Sequence, residues 1–163
     1  MEEINIPPLL LIFGPMVFGN TTTELNRILE KYKRRGLKVI KIVHSIYNTN
    51  TFIKPNWLSD KVNVFYYGSL TDITIIDDDI QVIGIDRGHL FDESLYDFVI
   101  KQMNLGKKLI VASLHGLSSK DLTTTRQGFM FNLIPHCTNI STSLEITDNG
   151  SQRLEYETYS RTK

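Results

Sequence analysis

The chain has 163 residues, 41% of them hydrophobic, with 18 basic and 18 acidic side chains. That length and apolar fraction fit one domain with a single sizeable core, and a formal net charge of zero excludes whole-molecule attraction to nucleic acid or membrane as the basis of function. One cysteine, Cys137, excludes an internal disulfide and any cysteine-only metal site.

The acidic start Met1-Glu2-Glu3 and the short apolar run "PPLLLIF" give neither a secretory signal nor a membrane span, so a cytoplasmic, reducing setting is expected. The first strand is expected over Leu9–Phe13, a nearly continuous apolar run suited to burial on both faces. Next comes a glycine-spaced loop, Gly14-Pro15-Met16-Val17-Phe18-Gly19-Asn20-Thr21. It has the spacing of the phosphate-binding G-x-x-x-x-G-K-[ST] loop, with Asn20 in the lysine's place. A helix is expected over Thr22–Arg35, ended by Gly36, and Thr21-x-x-Glu24 reads as a capping box at its start. Its C-terminus carries the one notable basic cluster, Lys31, Lys33, Arg34, Arg35 and Lys38. There cations complement the helix dipole, and the same face offers a contact for RNA or an acidic partner.

Further strands are expected at Lys38–Val43, Val62–Tyr66, Val82–Asp86 and Lys108–Ser113. Helices are expected at Thr71–Asp77 and at Glu93–Leu105, the latter capped by Asp92 and stopped by Gly106. Asp77-Asp78-Asp79 reads as a helix end and turn, since adjacent side chains cannot converge on one metal ion. Tyr47–Asp60, with Trp57, reads as a surface loop. Strands alternating with helices indicate an α/β fold, a parallel sheet with helices on both sides. After about Asn139 two alternating strands flank Asp148-Asn149-Gly150, a hairpin turn signal. The expected organisation is an α/β domain over 1–139 and a C-terminal β-hairpin or tail over 140–163 packed on it.

Four stretches in order, "LIFGPM.FG.TT.EL", "VIGID.G..F", "LIVA.L.G" and "G...NLIP", resemble the thymidine kinase family of the cellular and poxviral type. The likeness runs from about Leu9 to Pro135 and implies a three-layer P-loop (RecA-like) parallel sheet. It also shows departures. The lysine position is Asn20, Phe18 stands at a serine position, and one extra residue falls in Thr21-Thr22-Thr23. The family's catalytic glutamate is Arg87, its following glutamine is His89, and Ala-Leu-Asp-Gly has become Ser113-Leu114-His115-Gly116. The family's zinc cysteines and the lasso loop that closes on the base have no counterpart in this sequence.

For the site, the resemblance implies a vestigial nucleotide loop at Gly14, Gly19, Asn20 and Thr21, and a carboxylate, Asp86, where magnesium would be held. A strand-end aspartate bonded to hydroxyls such as that of Thr21 is the alternative. Met16, Leu90 and Leu114 fall where the family lines its thymine pocket. Arg87 stays protonated at any working pH and cannot serve as the base. It is expected to pair with Asp86 and fill the vacated space with fixed charge. No cofactor is expected.

The resulting expectation is a catalytically inactive, thymidine-kinase-like pseudoenzyme that binds a protein or ribonucleoprotein partner, with homo-oligomers open. The alternatives are a divergent active kinase using ATP and magnesium, with Lys120 and either His89 or Asp121 as substitutes, and a non-catalytic nucleotide sensor.

Overall fold

The computed structural model describes residues 6–15, 21–45, 62–73, 76–91, 94–115, 132–148 and 151–160; for β7 and most of β6 it describes the backbone. In chain order the elements are β1 (Leu9–Pro15), α1 (Thr21–Arg34), β2 (Val39–His44), β3 (Asn63–Tyr67), β4 (Val82–Ile85), α2 (Ser94–Asn104), β5 (Lys108–His115), β6 (Asn139–Asp148) and β7 (Ser151–Ser160). One sheet contains all seven strands in the order β3-β2-β4-β5-β1-β6-β7. The first six in that order run parallel, and β7 pairs antiparallel with β6. The expected hairpin is therefore part of the main sheet, because β6 hydrogen-bonds to β1 with Leu11 opposite Ile140.

Alternate residues of the buried strands feed two cores, as a side-chain period of two requires. Leu10, Ile12, Val82 and Ile110 pack with Leu25, Ile28 and Leu29 of α1. Leu9, Leu11, Ile83 and Leu109 pack on the other face with Leu95, Phe98 and Val99 of α2. The helix α1 approaches closely at Gly84, where an added Cβ would lie 2.6 Å from Leu29 Cδ1 and 3.2 Å from Leu25 Cδ1. Both helices stop as the sequence signals. Gly36 takes φ 91°, its N–H donates to Lys33 O, and the Leu37 N–H donates to Tyr32 O, closing a Schellman turn.

The helix expected at Thr71–Asp77 does not form. Among the described residues of that stretch only a 3₁₀ turn, Leu70–Asp72, is present; the Ser69 hydroxyl caps it by accepting from Thr71 N, and the chain is extended at Ile73. The reason is local. Thr71-Asp72-Ile73-Thr74-Ile75-Ile76 is rich in β-branched residues, and three aspartates at the helix C-terminus would oppose its dipole. The aspartates instead form a turn. It is held by the buried Lys107, whose ammonium donates to Asp77 O and Ile80 O at 2.8 Å each, and by an ion pair between Lys38 and Asp79. The expected cap Asp92, the loop Tyr47–Asp60 and the turn residues Asn149 and Gly150 lie outside the described residues. No helix among the described residues is long and apolar enough to cross a membrane.

Candidate functional site at the end of β4

Parallel strands aim their C-terminal ends at one edge of the sheet, and ligands of open α/β sheets bind there. Here β4 ends at Ile85, and the next residue, Asp86, is 4% exposed. Its backbone N–H donates to Ile42 O at 3.0 Å, tying the strand end to β2. Its carboxylate meets the first turn of α1, where the Thr22 hydroxyl lies 2.9 Å from Oδ1 and 3.0 Å from Oδ2. A buried carboxylate accepting a hydroxyl hydrogen bond is the alternative that the sequence offered, but the hydroxyl belongs to Thr22. Thr21, the expected donor, is the first residue of α1 and is buried.

That identity resets the loop's register. In G-x-x-x-x-G-K-[ST] the lysine immediately precedes the hydroxyl residue. Counted back from Thr22 the lysine's place would be Thr21, with the extra residue before it; counted on from Gly19 it is Asn20. Neither Thr21 nor Asn20 carries a charge, so the ammonium is lacking in either register. The capping box is not formed as expected either. Thr21 stands inside the helix, and both carboxylate oxygens of Glu24 accept from Arg27.

The cation placed against Asp86 is one that sequence reading overlooked. Lys41, in the middle of β2, is 4% exposed. Its ammonium lies 3.8 Å from Asp86 Oδ2 and donates to Asn26 Oδ1 on α1 at 2.8 Å. Burial pushes the Lys41 pKa below the ordinary lysine value, against the pull of the Asp86 charge; the positive charge of Arg87 adds to the lowering. A signal was present, since a lysine inside "KVIKIVH" on a strand covered on both faces must have a partner. The asparagine amide nitrogen beside it, Asn26 Nδ2, is buried without a hydrogen-bond partner.

Arg87 follows with φ 51° and ψ 53°, the one non-glycine residue at positive φ among those described. A left-handed, Cβ-bearing residue costs about 1–2 kcal/mol, so the strand-end turn is strained where the family places its base. The turn continues as a 3₁₀ segment, Gly88–Leu90, that includes the half-buried Leu90. Gly14 is buried in β1 opposite Leu114 of β5. The basic residues Lys31, Lys33, Arg34, Arg35 and Lys38 are exposed at the C-terminal end of α1. Arg34 stands 3.8 Å from Glu30, and Lys38 is the member paired with Asp79. Met16, Phe18, Gly19, Asn20, Gly116, Lys120 and Asp121, and the side chains of His89, Leu114 and His115, lie outside what is described.

The family resemblance implies a magnesium ion at this donor set. Thr22 and Asp86 are the types of group between which P-loop enzymes hold the ion. As placed, however, the single carboxylate accepts from Thr22 through both oxygens and has an ammonium within ion-pair distance, so its charge is already balanced. Among the described residues a divalent cation would find one carboxylate and one hydroxyl, with the Lys41 ammonium competing for the same carboxylate.

Comparison with known proteins places this geometry. A family model described as thymidine kinase matches residues 8–147. The thymidine kinase of Amsacta moorei entomopoxvirus is 36% identical over 114 residues, 64% of this chain and 60% of that protein. That of Myxoma virus (strain Lausanne) is 31% identical over 134 residues, 80% of this chain and 70% of that protein. That of Yaba monkey tumor virus is 35% identical over 130 residues, covering 77% and 66%. The chain thus spans three fifths to seven tenths of the length of these relatives. Among solved structures, the flagellar accessory protein FlaH from Methanocaldococcus jannaschii superposes with a TM-score of 0.59 at 15% identity, covering 95% of this chain and 80% of that one. That likeness shows the fold.

Proposed function

Because the chain belongs to the thymidine kinase family, we propose that it keeps the family's P-loop scaffold, does not transfer phosphoryl groups, and acts by binding a macromolecular partner. The charge pattern around Asp86 carries the reading. Phosphoryl transfer to a hydroxyl needs a proton acceptor and fixed positive charge on the transferring group. At the acceptor's position stands Arg87, a guanidinium. At the loop's ammonium position stands Thr21 or Asn20, neither of them charged. Loss of a general base costs about 10²–10⁴ in rate, and that penalty alone leaves a poor enzyme. The exposed Lys31, Lys33, Arg34 and Arg35 are the candidate partner contacts on α1.

Incubating the full chain with thymidine, ATP and magnesium tests the inactivity. The expected result is no phosphorylated nucleoside above a mock preparation, and turnover abolished by Asp86→Ala would overturn the reading. Partner binding is tested separately by the size of the native complex, and recovery solely as a free monomer counts against it.

The convergence of Thr22 and Asp86 favours a second reading, a divergent active thymidine kinase in which Lys41 turns away and Thr22 and Asp86 would hold the metal ion between them. The same assay decides between the two. A non-catalytic nucleotide sensor is separated by thermal shift, where ligand at about 100 times its dissociation constant stabilises by about 2.7 kcal/mol.

A further inference from the structure

The sheet has two edges, and their sequences differ in kind. Proteins blunt an exposed edge strand with charged side chains or proline, because its unpaired amides and carbonyls invite another strand. At one edge, the β7 sequence "SQRLEYETYS" includes Arg153, Glu155 and Glu157. At the other edge, β3 reads "NVFYY", with no charge and no proline, and among the described residues its only strand neighbour is β2. Phe65 and Tyr66 are 44% and 38% exposed, two of three large apolar side chains so exposed among the described residues. Among the described residues, the outer edge of β3 therefore presents a row of backbone donors and acceptors flanked by aromatic rings.

A groove runs beside it. Beyond the 3₁₀ turn that follows β3, a cavity of about 230 Å³ lies open on the α2 side of the sheet. Ile40 and Ile42 of β2 form its floor, Phe65 and Tyr67 of β3 one wall, and Ile73 and Ile76 the other. Phe65 and Tyr67 alternate along β3, so an added strand would bring every second side chain to the same side as the groove. The charge at the rim is negative. Asp77 lines the groove, and Asp78 is exposed next to it, while Asp79 is already paired with Lys38.

We propose that the edge of β3 binds an extended peptide segment of a partner protein, which adds to the sheet as a strand. Its alternate apolar side chains enter the groove, and a cationic side chain meets Asp77 and Asp78. Backbone pairing supplies the affinity, and the groove and acidic rim supply the selection, as in strand-addition recognition generally. The inference does not depend on whether the chain transfers phosphoryl groups, since β3 lies two strands from β4 and Asp86.

The test uses the full chain and synthetic acetylated peptides of alternating valine and threonine, read by fluorescence anisotropy. One is led by lysine, one by glutamate, and one carries proline at alternate positions. The lysine-led peptide is expected to bind, the glutamate-led one about tenfold more weakly with the difference fading in salt, and the proline peptide not at all. Phe65→Lys, a change at an exposed site, should abolish binding while the circular dichroism spectrum is kept. Asp77→Asn with Asp78→Asn should erase the preference for lysine. Absence of binding, or equal binding of the lysine-led and glutamate-led peptides, overturns the proposal. So does a sedimenting dimer that Phe65→Lys dissociates, because the edge would then belong to a second copy of the chain.

Discussion

Replacing Asp86 with Asn keeps the shape of the strand end and the acceptor for Thr22, but strands the ammonium of Lys41 in a site where it is 4% exposed. The cost can be bounded from two directions. Breaking a buried ion pair by removing one partner costs about 3–5 kcal/mol. Lys41 can also escape by losing its proton, and driving a lysine from about 10.4 to neutrality at pH 7 costs about 4.6 kcal/mol. The expected loss is therefore about 3–5 kcal/mol, or about 6–20 °C in midpoint for a domain of this size. Lys41→Met should cost a similar amount, since it leaves Asp86 without its counter-charge and Asn26 Oδ1 without its donor. The double variant removes both charges, so its cost should fall short of the sum of the singles by about 2 kcal/mol or more. Urea unfolding of the four proteins, followed by circular dichroism, gives this cycle directly. Additivity within about 0.5 kcal/mol would refute the account of Lys41 as the charge partner of Asp86.

The same lysine sets a pH dependence. Burial holds its folded-state pKa below the ordinary lysine value, so between the two values the unfolded chain binds more protons and stability rises with pH. Below that window the contribution is constant. The wild-type stability relative to Lys41→Met should therefore climb as the solution becomes alkaline; a flat difference curve would contradict the burial of the ammonium. Gly84→Ala drives a Cβ to 2.6 Å from Leu29, a fully buried side chain with little room to move, and should cost about 1–3 kcal/mol in the same urea assay. Lys107→Met leaves Asp77 O and Ile80 O without their shared donor and should cost about 1–3 kcal/mol, with faster hydrogen exchange confined to the turn at Asp77–Ile80. Arg87→Glu restores a carboxylate at the base position but no loop ammonium, so no nucleoside product is expected in a radiolabelled ATP assay.

Periodicity was enough to read the sheet, because β1, β4 and β5 are apolar runs that only a strand covered on both faces accommodates, and because Gly36 and Gly106 mark the helix ends by their need for positive φ. The segment after β3 was misread because its apolar spacing suits a helix, while its β-branched residues and terminal aspartates do not. At the site, Asp86 and Arg87 were legible as a motif. Lys41 was not, since nothing in a strand's own period says which helix side chain will lie over it. The contact with Asn26 depends on how α1 crosses β2, a tertiary fact. The step from Thr21 to Thr22 was hidden for the same reason. Three adjacent threonines are interchangeable as letters, and only the turn of α1 selects the one that faces the carboxylate.

The choice of Thr22 bears on where a loop ammonium could be placed. Writing lysine at position 20 would put an ammonium one residue too early for the hydroxyl that Asp86 holds. Writing it at position 21 would leave a loop with a surplus residue between glycine and lysine. If the chain is inactive as proposed, matching the family's pattern needs a deletion as well as a substitution, and a carboxylate after Asp86. On that reading, no single substitution rebuilds the family's loop and strand end together.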